Sequence, residues 1–596
     1  MEFIDEKFKD EKPEITVEKI IGKLASIGIR LNERWNDSKI DNCCSLRIYV
    51  DGLIPGTNGK GITKKLARAS AYGEFIERLQ SGLFFYKYQS FENDESVFLH
   101  SFAPDKRYMT KSEILSDSDW MEPIVKRYGI TKESIVNQCQ IYACSDKILC
   151  LPYYSLFEDK YVYLPAALIE HIYGANGCCV GNTKEEAWVH ALSEIMERHS
   201  NIEILKSGKP APIIPREKLK DFKVVNSILE KIQEQGIYDV EILDYSYGKK
   251  FPVVATRIIN KKTKGYLVNV GADPVFEIAV QRTLTEIFQG RNLDNFTSAF
   301  NGVILNNAND ISPLYNVINQ IETGNGLYTV DYFTDDSSVA CEVDSFPNNR
   351  EKNNSQLLTQ VIEKFKDMNL NVYIRNYSFL GFQCYKFIVP GFSEAKGERY
   401  QEPIPSYYFA DRASKILRNI KKATVAELSE LLMYHKMIEN FVSRRFNYNY
   451  LSGLPLSNLK SNLALIHFAY AAKKLNNFNS FKKYMDLAIM STADDDKDKD
   501  YLKLVMQWET FMQNGVDKEK AKKVISKFYF DDSIRRFEAN INSDTLLDDL
   551  VVECSNCDTC NRREDCCYEN IRTIIKKAGN EYSKFVDGQK KENFCY

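Results

Sequence analysis

No apolar run in this chain is long enough to span a bilayer, which argues against a membrane protein. The opening MEFIDEKFKDEK is charged and lacks the apolar stretch of a secretion signal, so a cytoplasmic location is expected. Excess positive charge is also missing: 79 Lys and Arg against 82 Asp and Glu leave a net charge of −3, without the basic stripe of a nucleic-acid binder. The stretch that looks most like a phosphate loop, GTNGKGIT from Gly56 to Thr63, lacks the G-x-x-x-x-G-K-[ST] spacing, and that reading is discarded. Fifteen cysteines without a secretion signal read as thiols or metal ligands rather than a disulfide framework. The rest is ordinary for a globular protein, 44% hydrophobic and 27% charged over 596 residues, a length that calls for at least two domains.

Against this background one stretch stands out. GNTKEEAWVHALSEIMERHS, Gly181 to Ser200, places Asn182, Glu186, His190, Glu194 and Glu197 at steps of four, four, four and three, a single stripe on a helix. Ala187, Ala191, Leu192 and Ile195 run beside it, so the stripe is expected to be partly buried. The device recurs. GITKKLARASAYGEFIER, Gly61 to Arg78, superposes without a gap and puts Glu74, Glu77 and Arg78 on Glu194, Glu197 and Arg198. DPVFEIAVQRTLTEIFQGR, Asp273 to Arg291, keeps Glu286 and Gln289 and has Arg282 where the first copy has Ser70. One structural unit used three times is the simplest source of such a pattern.

Carboxylates gathered in this way repel and must take up protons or bind a cation. Magnesium suits them, as a hard ion that prefers oxygen ligands and usually binds together with phosphates. Arg78, Arg198 and Arg282 then fall where phosphate oxygens need neutralising. The residues thus describe a magnesium–nucleotide site without a phosphate loop.

Three motifs in this order, S-x-x-x-E-x-x-E-R, G-N-T…E…S-E-x-x-E-R and D-P…R-T-x-T-E-x-x-Q-G-R, resemble the YcaO family, whose members use ATP to phosphorylate a backbone amide oxygen so that a nucleophile can attack the carbon. The resemblance implies that Lys9, Thr16, Ser70, Asn182 and Glu186 join Glu74, Glu77, Glu194, Glu197 and Glu286 around ATP. The last five would hold Mg2+, and Arg78, Arg198 and Arg282 would be catalytic. Thr16 stands where the family usually has serine and also reads as an N-cap, as Thr183 with Glu186 reads as a capping box. Asp273 reads as the N-cap of the third helix, with Pro274 at its first position. His190 is left out as a hydrogen-bonded neighbour.

In chain order, a helix is expected from about Glu14 to Ile27, ended by Gly28 as C-cap, and a strand at LRIYV, Leu46 to Val50. VYLPAALI leads toward the second motif through the glycine-rich YGANGCCVGNT, and GYLVNVGADP leads into the third. SQLLTQVIEKFKDM reads as a helix, with NVYIRNY and GFQCYKFIVPGF as strands. The fold expected is α+β: a YcaO-type ATP-binding domain of three repeated strand/helix units (1–395), followed by an all-α, tetratricopeptide-like domain (410–545) and a Cys-rich tail (546–596). In that tail Cys554, Cys557, Cys560 and Cys566 have the spacing of a zinc or iron–sulfur site. The ending KKENFCY departs from the proline-rich P-x-P-x-P tail of azoline-forming members.

The leading function is therefore ATP- and Mg2+-dependent activation of a peptide or protein backbone amide, leading to cyclodehydration, thioamidation or a related change. The alternative is an accessory factor for methylthiolation of a small-subunit ribosomal protein, with the helical region docking a partner. A homodimer is expected, and neither nucleic acid nor membrane is expected as a partner.

Overall fold

The computed structural model describes residues 4–51, 56–84, 103–143, 146–292, 303–334, 340–401, 413, 415–439, 463–494, 496–543, 545–553 and 568–591. Three antiparallel sheets organise the part before residue 401. In the first, β1 (Leu31–Asn36), β2 (Cys44–Val50) and β3 (Gly56–Gly61) lie side by side with β2 in the middle. Leu46, Ile48 and Val50 alternate along β2 and share a core with Val17, Ile20 and Leu24 of α1 (Pro13–Ser26), as a strand with one covered face requires. The second sheet contains β4 (Arg107–Met109), β5 (Ile148–Ser155), β6 (Lys160–Pro165) and β7 (Cys178–Gly181). The distant β11 (Tyr373–Asn376) and β12 (Gln383–Ile388) insert between β5 and β7. The third sheet is β8 (Tyr238–Asp244), β9 (Val253–Asn260) and β10 (Tyr266–Ala272).

The three motif helices are α2 (Lys64–Gln80), α3 (Lys184–Ser207) and α4 (Phe276–Ile287), and each follows a strand: β3, β7 and β10. Two of those strands differ from the expected ones. LRIYV lies one strand earlier, in β2, and the discarded GTNGKGIT forms β3. The glycine-rich turn before the second helix itself contains β7. Both strands are short and rich in Gly or Cys, which removes the β-branched signal on which a strand reading depends.

The repeat extends to the packing. A Cβ on Gly59 of β3 would lie 2.1 Å from the Ala67 carbonyl oxygen and 2.5 Å from the Ala71 nitrogen of α2. One on Gly271 of β10 would lie 2.8 Å from the Ala279 carbonyl oxygen of α4, the equivalent position. Gly61 and Gly181 correspond in the same way, meeting the amide nitrogens of Ala67 at 2.7 Å and of Ala187 at 2.6 Å. These glycines let each motif helix lie directly on its strand. Gly59→Ala is expected to push α2 off β3 and cost about 2–3 kcal/mol. Gly22→Ala, in α1 with nothing within 4 Å of the added carbon, is expected to be neutral or to gain up to ~1 kcal/mol. Thermal melts of the two variants check this; equal melting temperatures would contradict it.

After α5 (Asn354–Asp367) and the two inserted strands the chain becomes helical: α6 (Val425–Glu439), α7 (Leu463–Lys474), α8 (Phe478–Ser491), α9 (Lys497–Gln513), α10 (Lys518–Phe528) and α11 (Asp531–Asn540). They bury Phe468, Tyr484, Met485, Tyr501, Trp508 and Phe537 in a core of their own. The stretch expected as one Cys-rich tail divides. Leu546, Leu547, Leu550 and Val551 belong to that helical core, whereas α12 (Tyr568–Lys591) returns to the first core with Ile571, Ile574, Ala578, Tyr582 and Val586. Cys554, Cys557, Cys560 and Cys566 lie outside the described residues. No helix among the described residues is long and apolar enough to cross a membrane.

Candidate active site

α2 is started by Thr63, whose hydroxyl accepts from the Leu66 N–H at 3.3 Å. That start places Ser70 half-buried on the helix, with Glu74 one turn on and Glu77 and Arg78 beyond it. The Arg78 guanidinium donates to Glu77 and reaches Glu74 at 3.3 Å. Glu77 is 5% exposed, and its carboxyl is pushed up to about 7 by burial, with Glu194 and Glu74 adding repulsion against the pull of Arg78. Arg78, paired with both carboxylates, stays charged despite its burial.

The start of α3 is tied to the N-terminal segment. Lys9 Nζ lies 3.0 Å from Glu186, the Asp10 N–H donates to the same carboxylate at 3.3 Å, and the Thr16 hydroxyl donates to Asn182 Oδ1 at 2.7 Å. Asn182 donates to Glu186 Oε2 through its backbone N–H at 3.2 Å and its amide at 2.9 Å. Burial alone would raise the Glu186 carboxyl, but Lys9 and the Asn182 donors hold it below the usual range. Two sequence expectations change here. Thr16 is not an N-cap, because α1 begins at Pro13 and the threonine sits inside its first turn. Thr183 does cap α3, but the buried Glu186 carboxylate is taken by Lys9, the Asp10 N–H and Asn182 instead of closing a capping box.

Further along α3, Glu197 is 8% exposed and its carboxyl is raised by burial, with Glu194 adding to the effect. Arg198 lies 3.8 Å from Glu194 and 3.9 Å from Glu197, and donates to the Ile321 carbonyl at 3.2 Å. α4 contributes Arg282, 3.2 Å from His190 Nε2, and Glu286, which pairs with Lys60. The His190 imidazole is held neutral by burial and by Arg282, Lys9, Lys60 and Arg78. Asp273 is not the helix cap: it bonds the Val275 N–H at 2.9 Å in the turn ahead of α4, and burial lifts it to about 6 against the pull of Arg282. Gln289 falls past the end of α4.

The three helices therefore bring Glu74, Glu77, Glu194 and Glu197 into one electrostatic cluster with Arg78, Arg198 and Arg282, and Glu286 joins it through Lys60, which pairs with it and feels Glu74 and Glu197. Two cations were not picked out from the sequence. Lys60, on β3 between two helix-hugging glycines, is pushed down to about 8 by burial and Arg282, and it feels Glu197 and Glu74. Lys386, 2% exposed on β12, donates to the Gly174 and Asn176 carbonyls at 2.6 Å and lies near Cys178, Glu194, Arg78 and Glu77. A lone lysine in the apolar strand CYKFI was the available signal, because a buried ammonium needs partners.

A family profile described as YcaO cyclodehydratase, ATP- and Mg2+-binding, matches residues 58–393. The chain belongs to the YcaO family. It is 27% identical over 394 residues to the ribosomal protein S12 methylthiotransferase accessory factor YcaO of Escherichia coli, covering 65% of this chain and 66% of that one. It is 30% identical over 396 residues to an uncharacterized Haemophilus influenzae protein, covering 65% of each. The chain thus spans just under two thirds of these curated relatives. Among solved structures it is similar to YcaO from Methanopyrus kandleri bound with AMPPCP and Mg2+, at TM-score 0.38 and 16% identity over 65% of this chain and 93% of that one. It is also similar to a heterocyclase in complex with substrate and cofactor, at TM-score 0.46 and 18% identity over 64% and 53%. YcaO membership, with a helical region following the family domain, agrees with the sequence reading of family and fold class.

Proposed function

We propose that this YcaO chain binds Mg–ATP between its three motif helices and uses it to O-phosphorylate a backbone amide of a peptide or protein. The observation that carries the reading is the meeting of four glutamates and three arginines from α2, α3 and α4, two of the glutamates buried and raised in pKa, with Glu286 joined to them through Lys60. The donor set fits magnesium in kind, being carboxylate oxygen throughout. Among the described residues no three or more His, Cys, Asp or Glu side chains are grouped as a metal site, and Arg78, Arg198 and Lys60 stand beside the carboxylates instead. Glu74, Glu77, Glu194, Glu197 and Glu286 would hold the ion, with Lys9, Thr16, Ser70, Asn182 and Glu186 at the nucleotide. Bound magnesium supplies charge neutralisation for the phosphates. Arg78, Arg198 and Arg282 balance the charge that grows on the transferring group. The amide oxygen takes the γ-phosphoryl group and ADP leaves, a nucleophile adds at the amide carbon and gives up its proton, and phosphate departs with the former amide oxygen. A Cys, Ser or Thr side chain of the substrate, external sulfide or water would serve as nucleophile.

The Glu77 carboxyl gives the test. A folded pKa raised to about 7 means that its contribution to stability is full below the ordinary carboxylate value and lost as pH rises through about 7. A cation favours the ionised form, so Mg–nucleotide affinity should rise with pH through that range, with about half a proton released near pH 7. Calorimetry with a non-hydrolysable ATP analogue, in two buffers of different ionisation enthalpy, measures the release. A heat of binding independent of buffer would refute the assignment of Glu77.

The E. coli relative's name supports a second reading, an accessory factor whose helical core docks a protein partner. Binding of a folded ribosomal protein in preference to short peptides would favour it.

A further inference from the structure

The face of the first sheet opposite α2 carries two successive rows of polar side chains. β1 pairs with β2 so that Arg34 is directly across from Arg47, and β2 pairs with β3 so that Arg47 is directly across from Asn58. The neighbouring row is Asn36, Ser45 and Lys60, and Lys60 is the residue that pairs with Glu286 at the candidate active site. Ser45 accepts from the Gly290 N–H and donates to the Phe288 carbonyl, which fastens this end of the sheet to the end of α4.

Directly opposed side chains on adjacent strands stand about 5 Å apart at Cβ, and like charges placed there repel. Arg34 is exposed, and Arg47, half-buried, donates among the described residues only to Asn58 Oδ1 at 3.3 Å. Among the described residues neither arginine forms an ion pair. The burial of Arg47 and the nearness of Arg34 both disfavour its charge, and Glu74 offsets them only in part. Two facing guanidiniums with unused donors match the geometry of a carboxylate, which can accept from both.

We propose that Arg34 and Arg47 hold an acidic side chain of the polypeptide substrate and so fix which amide reaches the active site. This rests on the amide-activation reading above. One row separates the arginine pair from Lys60, a diagonal distance of about 8–10 Å. An extended chain advances about 3.3 Å per residue, so the acidic residue would lie roughly three residues from the modified amide. The ligand is a carboxylate on polypeptide, distinct from the phosphates of the nucleotide.

The test uses the full chain and a fluorescent, glycine-flanked hexaglutamate peptide, with a hexaglutamine peptide as control, by anisotropy at low ionic strength. The hexaglutamate peptide should bind and the hexaglutamine peptide should not. Arg34→Gln with Arg47→Gln should weaken hexaglutamate at least tenfold and leave Mg–ATP affinity unchanged. Arg34→Glu alone, at an exposed position that the fold tolerates, should weaken it at least threefold. The proposal is overturned by hexaglutamate binding that survives these substitutions, by no hexaglutamate binding to the wild type, or by ATP affinity falling in parallel with peptide affinity. Equal competition by a single-stranded oligonucleotide would also overturn it, marking a general anion surface. Failure to bind Mg–ATP at all would instead refute the amide-activation reading, separately from the peptide result.

Discussion

Glu197→Gln is expected to reduce ATP hydrolysis by about a thousandfold while leaving the melting temperature unchanged or slightly raised. The two halves of this expectation have one cause. Burial raises the Glu197 carboxyl and Glu194 repels it, so in the metal-free protein its ionised form is the costly one. An amide of the same shape removes that cost, and the fold should not suffer. The charge is nevertheless what a magnesium ion and the arginines around it would use. Losing one preorganised electrostatic contact at the reacting centre typically costs 10²–10³ in rate, and losing a metal ligand costs at least as much. Glu77→Gln should behave alike, because it occupies the equivalent position in the first repeat and is raised for the same reason. Glu234→Gln, at an exposed position at the end of the helix Lys223–Glu234, is the control. Turnover in Glu197→Gln within threefold of wild type, with nucleotide still bound, would show that the carboxylate cluster is not the site of hydrolysis.

The sequence made these glutamates legible because the signal was local and repeated. The 3.6-residue period put Glu186, His190, Glu194 and Glu197 on one face of α3, and the first copy put Glu74, Glu77 and Arg78 on one face of α2. The pairing of Lys9 with Glu186 and of Thr16 with Asn182 spans more than 160 residues and was not legible; the family resemblance singled out these four residues only as nucleotide contacts. Lys60 was hidden by its own neighbours. Its glycines suggested a loop, whereas they are there because α2 lies on the strand too closely for a Cβ. Asp273 has the composition of a cap, but its turn is buried beside Arg282, and burial is a tertiary fact that no N-terminal pattern carries. The apolar spacing of Ile571, Ile574, Ala578 and Tyr582 is readable as an amphipathic helix. Its seat on the first core, far back in the chain, is not.

That seat leads to the second large effect. A chain ending at residue 567, which lacks α12, is expected to lose several kcal/mol of stability in the first core, whereas a chain ending at Lys591 should keep its melting temperature and its ATP turnover. Ile571, Ile574, Ala578, Tyr582 and Val586 are all 5% exposed or less. Burial of a large apolar side chain contributes about 1.5–3 kcal/mol, so their combined loss approaches the whole stability of an ordinary domain. There is a polar cost as well. Arg375, 3% exposed on β11, donates to Asp105 at 2.7 and 3.0 Å, to the Pro152 carbonyl at 3.0 Å and to the Tyr582 hydroxyl, while Phe379 stacks on the Tyr582 ring at 4.6 Å. Lys23 of α1 anchors Glu581 at 2.7 Å. Without the helix the guanidinium loses one acceptor and its cover. Tyr582→Phe isolates the polar part: it keeps the ring and the packing, removes the hydroxyl, and should cost about 1–3 kcal/mol. Because β11 pairs directly with β12, which carries Lys386 to the candidate active site, the damage should reach ATP turnover before the helical core melts. Thermal unfolding followed alongside ATP hydrolysis orders the two events. A chain ending at 567 that melts and turns over like the full-length protein would mean that α12 is an appendage and not part of the first core.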